Sequence, residues 1–262
     1  VKNTVKNDQD LSAEIAQYED IEFYIDSGHW TSHPLFASRE RHWMAYHIEK
    51  IRFYGYLSRY VSSKPYYKKA KILVAPIGTG NEVVYLQGMY AEICGMDISQ
   101  KALDQCPAHI VTKKVNILHS EEASEYFDII ICPLFLHHVH KVGFNPFLEE
   151  YYRLLRPGGV LAIHEPSILF PPSQVTSFLR SVMGDVTGLV PDERPIYPTA
   201  VTKSLDEAGF VRINYRGLSF SHCRYPVFLQ AMIILLDWPW RVIWPFKFFS
   251  NGIGWYCEKP TD

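Results

Sequence analysis

Three imidazoles fall within four residues, at His137, His138 and His140, just after the apolar run Asp128-Ile129-Ile130-Ile131-Cys132. Histidine changes charge near neutral pH, so imidazoles at a strand end can take a proton from a weakly acidic substrate group. Glu165, in Ile163-His164-Glu165-Pro166, ends a later apolar run and is a second acid–base candidate. Upstream, the run Lys71-Ile72-Leu73-Val74-Ala75 enters Pro76-Ile77-Gly78-Thr79-Gly80. A strand that feeds a glycine turn and a helix start gathers backbone N–H groups on which a carboxylate or phosphate can rest. Glycine supplies positive φ there and lets a ligand come close to the backbone. The plain alternative is a tight turn with no ligand. Asp97 ends the next strand-like stretch, where an acid can accept hydrogen bonds from two ribose hydroxyls or cap a helix starting at Ser99.

These residues need a scaffold that brings strand ends together. Strands are expected at 71–75, 92–97, 114–118, 128–132 and 159–164, with helices at 81–89, 99–104 and 145–155. Such alternation predicts right-handed βαβ units and an α/β, doubly wound, mostly parallel sheet. The unbroken apolar run at 128–132 fits a strand covered on both faces. Ligands of these sheets bind at the carboxyl ends of the strands. Ahead of the sheet, Trp43, Met44, His47, Ile48, Ile51, Tyr54, Leu57 and Val61 recur at helical steps, predicting a helix over 35–61. It either packs outside the sheet or caps a pocket, with Tyr18, His29, Trp30 and His33 near the mouth. The domain reading is a helical cap over 1–68 and a sheet domain over 69–262. Insertions are placed at 166–198, carrying a helix at 174–183, and at 225–250. A helix at 200–208, a strand at 211–215 and a last strand at 253–258 complete the expectation.

Composition narrows the partners. Of 262 residues, 47% are hydrophobic and 21% charged, and the net charge of −2 offers no field for nucleic acid. Cys94, Cys106, Cys132, Cys223 and Cys257 are odd in number, scattered and never spaced Cys-x-x-Cys, which favours reduced thiols over disulfides or a metal site. The polar start Val1-Lys2-Asn3-Thr4 lacks the apolar run of a secretion signal, so the expected location is cytoplasmic. The apolar stretch 225–249 is interrupted by Asp237, Pro239, Arg241, Pro245 and Lys247. Its uncharged part, 225–236, is too short to span a bilayer, which takes about 20 apolar residues. It reads as a buried helix or pocket wall, as a segment touching a membrane surface, or as a surface for a dimer.

In order, the motifs are the strand at 71–75, Gly78-Thr79-Gly80, Asp97, Phe127-Asp128-Ile129-Ile130-Ile131, Leu136-His137-His138-Val139, and Leu155-Arg156-Pro157-Gly158-Gly159. This series resembles the class I S-adenosylmethionine-dependent methyltransferases, in particular the small-molecule group with a Leu-His-His segment. The likeness covers 71–165 well and 199–217 loosely, through Glu207-Ala208-Gly209-Phe210. It implies a seven-stranded Rossmann-like methyltransferase fold with S-adenosyl-L-methionine as cofactor. It places Gly78, Thr79 and Gly80 against the methionine and ribose, Asp97 on the ribose hydroxyls and Ile98 on adenine. His119, Ser120 or Glu121 would stand where the adenine amine is read. Pro133, Leu134 and Phe135 would face the sulfonium and the substrate, and Tyr18, Trp30 and His33 would join Phe135 around the acceptor.

Two positions depart from the pattern. Val74 and Pro76 stand where the family's loop opens with an acid and a first glycine, and proline has no N–H to give. Glu82, just beyond the loop, is the candidate to compensate. The activity implied is methyl transfer to an oxygen, nitrogen or carbon atom of a small, rather hydrophobic or aromatic molecule. The alternatives are a binding or scaffold protein that keeps the fold without the cofactor, and a non-methylating reaction on the same cofactor. A nicotinamide dinucleotide is disfavoured because the turn continues Gly80-Asn81-Glu82-Val83 without a third glycine.

Overall fold

The computed structural model describes residues 44–140, 142–183, 194–223 and 225–261. Tyr18, His29, Trp30 and His33 lie outside the described residues, as does the first part of the helix expected over 35–61. The chain runs α1 Met44–Val61, β1 Ala70–Val74, β2 Tyr90–Asp97, α2 Gln100–Leu103, β3 Val111–Lys114 and β4 Phe127–Pro133. It continues α3 Asn145–Leu154, β5 Leu155–Pro166, α4 Pro171–Met183, α5 Pro198–Glu207 and β6 Val211–Ser219. It closes with α6 Val227–Leu236, α7 Trp238–Val242 and β7 Gly252–Glu258.

The strands form one seven-stranded sheet in the order β3-β2-β1-β4-β5-β7-β6. The first five are parallel, and β7 runs antiparallel between β5 and β6. Strand order reverses between β1 and β4, so the loops that follow them flank the switch point where such sheets bind ligands. All seven residues of β4 are buried, which explains its unbroken apolar run. Successive side chains go to opposite faces. Ile129, Ile131, Val160 and Ala162 therefore join α1 through Phe53, Tyr54, Leu57 and Val61. Ile130, Cys132, Leu161 and Ile163 join α3 and α5 through Phe147, Leu148, Val201 and Leu205. The same alternation sends His164 to the α1 side and Glu165 to the α3 side.

Two expected elements differ. The helix predicted over 81–89 is a single 3-10 turn, Val83–Leu86. Gln87 turns extended and Gly88 takes φ +82°, so the chain is already entering β2 at Tyr90. The third strand lies at Val111–Lys114, not 114–118. Asn116 stops it: its side-chain oxygen accepts the Leu118 N–H at 3.1 Å and starts the 3-10 turn Ile117–His119. Among the cysteines, Cys94, Cys132 and Cys257 are buried, Cys106 and Cys223 are half-buried, and all five are thiols outside any disulfide.

The α1 helix belongs to the sheet's core. Phe53 is fully buried, stacking on His164 at 5.3 Å and on Tyr256 at 5.5 Å between ring centroids. Phe53→Ala is expected to cost about 3–5 kcal/mol in urea unfolding, because the site cannot collapse around the lost ring. A loss below about 1 kcal/mol would mean that α1 is not an integral layer.

Candidate active site

The loop after β1 is built from backbone pairing. Ile77 N–H donates to the Met96 carbonyl at 2.9 Å, and Gly80 N–H to the Ile77 carbonyl at 3.0 Å. The Tyr151 hydroxyl donates to the Ala75 carbonyl at 2.7 Å from beneath. Ile77 fills the space above Gly95, where a Cβ would come within 2.3 Å of the isoleucine Cδ1. Loop and β2 are thus pressed together, and the carboxylate ending β2 reaches back. Asp97 Oδ2 accepts Gly78 N–H at 2.8 Å, and Oδ1 accepts Ser99 N–H at 2.9 Å. Burial raises the Asp97 carboxyl above its ordinary range, opposed by the N–H groups of Ser99, Gly78 and Ile98.

The two glycines have separate jobs. Gly78, at φ +55°, has no atom within 4 Å of where a Cβ would stand, so its backbone borders open space. Gly80, at φ +77°, faces Pro107 and Cys106, and a Cβ there would come within 2.7 Å of Pro107 Cδ. Gly80 serves packing, while Gly78 borders open space. Thr79 is turned outward, its hydroxyl accepting from Asn81 Nδ2 at 2.9 Å.

A cleft lies at the carboxyl ends of β1 to β4. Ala75 and Pro76 after β1, Met96, Asp97 and Ile98 at the end of β2, and Val115, Asn116 and Ile117 after β3 line it. Phe135 and Phe147, edge to face at 5.0 Å, complete the wall. Pro76 lines this hollow rather than filling it. An apolar slot with one carboxylate suits a nucleoside, whose base is flat and whose sugar bears a hydroxyl pair. A carboxylate has about four lone-pair sites, so Asp97 keeps acceptor capacity beyond its backbone partners. The residues present therefore fit S-adenosylmethionine.

Two cofactor candidates are placed elsewhere. The Ser120 hydroxyl donates to Glu150 Oε1 at 2.8 Å and accepts from Arg153, away from the cleft. Because β3 ends early, Val115, Asn116 and Ile117 occupy the side expected of His119, Ser120 and Glu121. The Asn116 cap was the signal in the sequence. Glu82 is buried beneath α1, ion-paired with Lys50 and accepting from the Tyr54 hydroxyl at 2.7 Å. It anchors the end of the loop to α1.

At the other side of the switch point, Glu165 is 0% exposed. Its Oε1 accepts Phe135 N–H at 2.8 Å and Leu136 N–H at 2.6 Å, and its Oε2 accepts His137 N–H at 3.3 Å. The same Oε2 lies 2.7 Å from His137 Nδ1. Complete burial pushes the Glu165 carboxyl up to about 7, against the lowering effect of those N–H groups. Pro133 is the buried end of β4, and Leu134 follows at φ +53° with its N–H on the His164 carbonyl at 2.7 Å. That left-handed residue turns the chain so that Phe135 faces the cleft. His138 is buried with its ring 4.0 Å from that of His137. His140 is exposed and hydrogen-bonded through Nε2 to the Arg194 carbonyl at 2.7 Å.

Residues 74–163 match the family described as a methyltransferase domain. A search of curated protein sequences gives no significant match. Among solved structures, a methyltransferase from Thermotoga maritima, described as a possible histamine N-methyltransferase, aligns with TM-score 0.60 at 12% identity, covering 83% of this chain and 92% of that one. An S-adenosylmethionine-dependent methyltransferase from Archaeoglobus fulgidus aligns with TM-score 0.53 at 15% identity, covering 82% and 99%. Phosphoethanolamine N-methyltransferase 2 from Haemonchus contortus, solved with S-adenosylhomocysteine, aligns with TM-score 0.53 at 11% identity, covering 83% and 58%. The matched stretch, residues 74–163, holds the loop, Asp97 and the Leu-His-His turn and is a methyltransferase domain, and the solved structures share its Rossmann-like fold.

Proposed function

We propose that the chain moves the methyl group to an oxygen, nitrogen or carbon atom of a small, rather hydrophobic or aromatic molecule. The observation that carries this reading is the aromatic end of the cleft, where Phe135 and Phe147 meet beside the Glu165-braced turn. Pockets of this kind are mostly apolar with a few polar anchors. Bound S-adenosylmethionine supplies a methyl group already activated by positive sulfur. The protein's part is placement and exclusion of water.

Asp97 accepts a ribose hydroxyl with the one acceptor site, of about four, that its backbone partners Ser99, Gly78 and Ile98 leave. Ile98 and Val115 to Ile117 hold the adenine by apolar contact, and the Gly78 backbone leaves space for the chain beyond the ribose. The base is drawn from the histidines of the turn after β4, His140, His138 and His137. Glu165 is a positioning residue: its carboxyl accepts the His137 N–H, lies 2.7 Å from His137 Nδ1 and so fixes that turn.

Incubation with methyl-tritiated cofactor and a panel of acceptors tests the substrate class. Label should pass to aromatic or apolar acceptors; transfer only to strongly polar amines would overturn the reading. Asp97→Ala is expected to weaken S-adenosylhomocysteine about 10- to 100-fold in calorimetry, the loss of about 1–3 kcal/mol of hydroxyl hydrogen bonding. An unaltered Kd would remove Asp97 from the site.

Glu165 also has a signature in stability. Its carboxyl holds a proton in the folded chain up to about pH 7, whereas the unfolded chain releases it from an ordinary value of 4.5. The folded state therefore binds more protons across that window, and stability from this group, present at acid pH, is lost as pH rises through about 7. Against Glu165→Gln, which cannot titrate, the wild type should lose thermal midpoint between about pH 4.5 and pH 7, and run parallel to it above that. Profiles parallel at every pH would show that Glu165 ionises like an exposed carboxylate.

A further inference from the structure

A surface helix ordinarily turns its apolar stripe inward and its polar residues to water. In α6 the order is reversed. Gln230, its one polar side chain, is buried, accepting Ala45 N–H at 2.9 Å and donating to the carbonyls of Tyr225 and Cys223. Phe228, Met232, Leu235 and Leu236 share the outer face, with Phe228 74% and Leu235 79% exposed. The chain beyond continues the pattern, since Trp238, Trp240 and Phe246 are exposed and Trp244 is 70% exposed. The α4 helix repeats it with Val175, Phe178 and Val182 turned outward at positions i, i+3 and i+7.

This face is held open by design of the charges beneath it. Asp237, between α6 and α7, is buried and paired with Arg52 NH1 and Arg241 Nε, each at 2.8 Å. Arg52 also donates to the Ile234 and Leu218 carbonyls, fixing α6 to α1 and β6. The apolar side chains are therefore presented, not awaiting collapse. Their location follows from topology. The α4 helix leaves the end of β5, and the 220–251 segment leaves the end of β6, which runs parallel to β5 because both are antiparallel to β7. Both emerge at the sheet edge that carries Asp97 and Glu165.

Charge decides what fits this face. The chain carries 28 acids, yet 166–183 has none and 225–249 only the buried, doubly paired Asp237. Cations border it instead: Lys247 Nζ lies 3.9 Å over the Tyr215 ring, and exposed Arg216 is close enough to lower the Lys247 pKa, after the larger effect of burial. Tryptophan beside aliphatic side chains, with cations and, among the described residues of 166–183 and 225–249, no exposed acid, matches the boundary between water and anionic lipid. Depth is limited. The ten residues of α6 rise about 15 Å, and among the described residues no helix is long and apolar enough to cross a membrane.

We propose that this face docks the protein on an anionic lipid bilayer surface, with α6 and the tryptophans of the following segment entering the headgroup region. Vesicle binding is read without cofactor or acceptor, so its outcome is separate from that of the methyl-transfer reading. The test is co-sedimentation of the full chain with phosphatidylcholine vesicles, with and without phosphatidylglycerol. The chain should sediment with the anionic vesicles, more weakly with the neutral ones, and less as salt is raised. Phe228→Ser with Leu235→Ser should reduce that binding at least tenfold, with the thermal midpoint kept because both residues are exposed. Trp244→Ser, as an independent variant, should reduce it severalfold. Absence of sedimentation with anionic vesicles, equal binding to both vesicle types, or variants that bind like the wild type would each overturn the proposal. So would a wild-type dimer in lipid-free solution that the double substitution converts to monomer.

Discussion

The site depends on a buried carboxylate that would be untenable without backbone donors. Moving an acid out of water raises its pKa and disfavours its charge. Asp97 is kept in place by N–H groups from two different elements, Gly78 in the loop after β1 and Ser99 at the start of α2. The partnership fixes how far the loop stands from β2, and with it the width of the cleft. The close contact of Ile77 with Gly95 and the tether from Tyr151 to Ala75 serve the same spacing. Helix capping, one of the two uses expected of Asp97, falls instead to Ser99, whose hydroxyl accepts the Ala102 N–H at 3.3 Å at the start of α2.

The other side of the switch point repeats the device. Glu165, from β5, gathers the successive N–H groups of Phe135, Leu136 and His137 in the loop after β4. An acid from a neighbouring strand thus braces each of the two loops that flank the cleft. Both acids sit at strand ends, where the sheet stops supplying backbone partners and loop amides would otherwise go unsatisfied. The two loops must meet a ligand in fixed geometry, and neither is shaped by side-chain packing alone. The α1 helix adds a third brace, through Lys50 and Tyr54 on Glu82.

Much of this was legible in the sequence because it is periodic or terminal. Unbroken apolar runs marked β1, β4 and β5, and Asp97 and Glu165 are recognisable as acids that end such runs. The third strand was misplaced because Val115 and Ile117 look like strand residues, while the hydrogen bond that ends the strand belongs to Asn116. The 81–89 helix failed because Gly88 and the early start of β2 leave no room for more than one 3-10 turn. Gly78 and Gly80 look equivalent in a motif, and only the neighbours of their missing Cβ atoms tell them apart. Polar residues such as Ser120 and Glu82 cannot be assigned from position, because what they bind comes from distant segments. The 225–249 stretch gave its apolar character to the reading but not its direction: Gln230 faces in and the large side chains face out.

The account rests on a nucleoside lying between Asp97 and the Val115-to-Ile117 wall. A crystal structure of the protein with S-adenosylhomocysteine is the most direct measurement. A ribose hydroxyl should lie within hydrogen-bonding distance of the Asp97 carboxylate, with adenine against Ile98 and the homocysteine passing Gly78 toward Phe135. A ligand bound elsewhere, or a cleft left empty at saturating ligand, would contradict it.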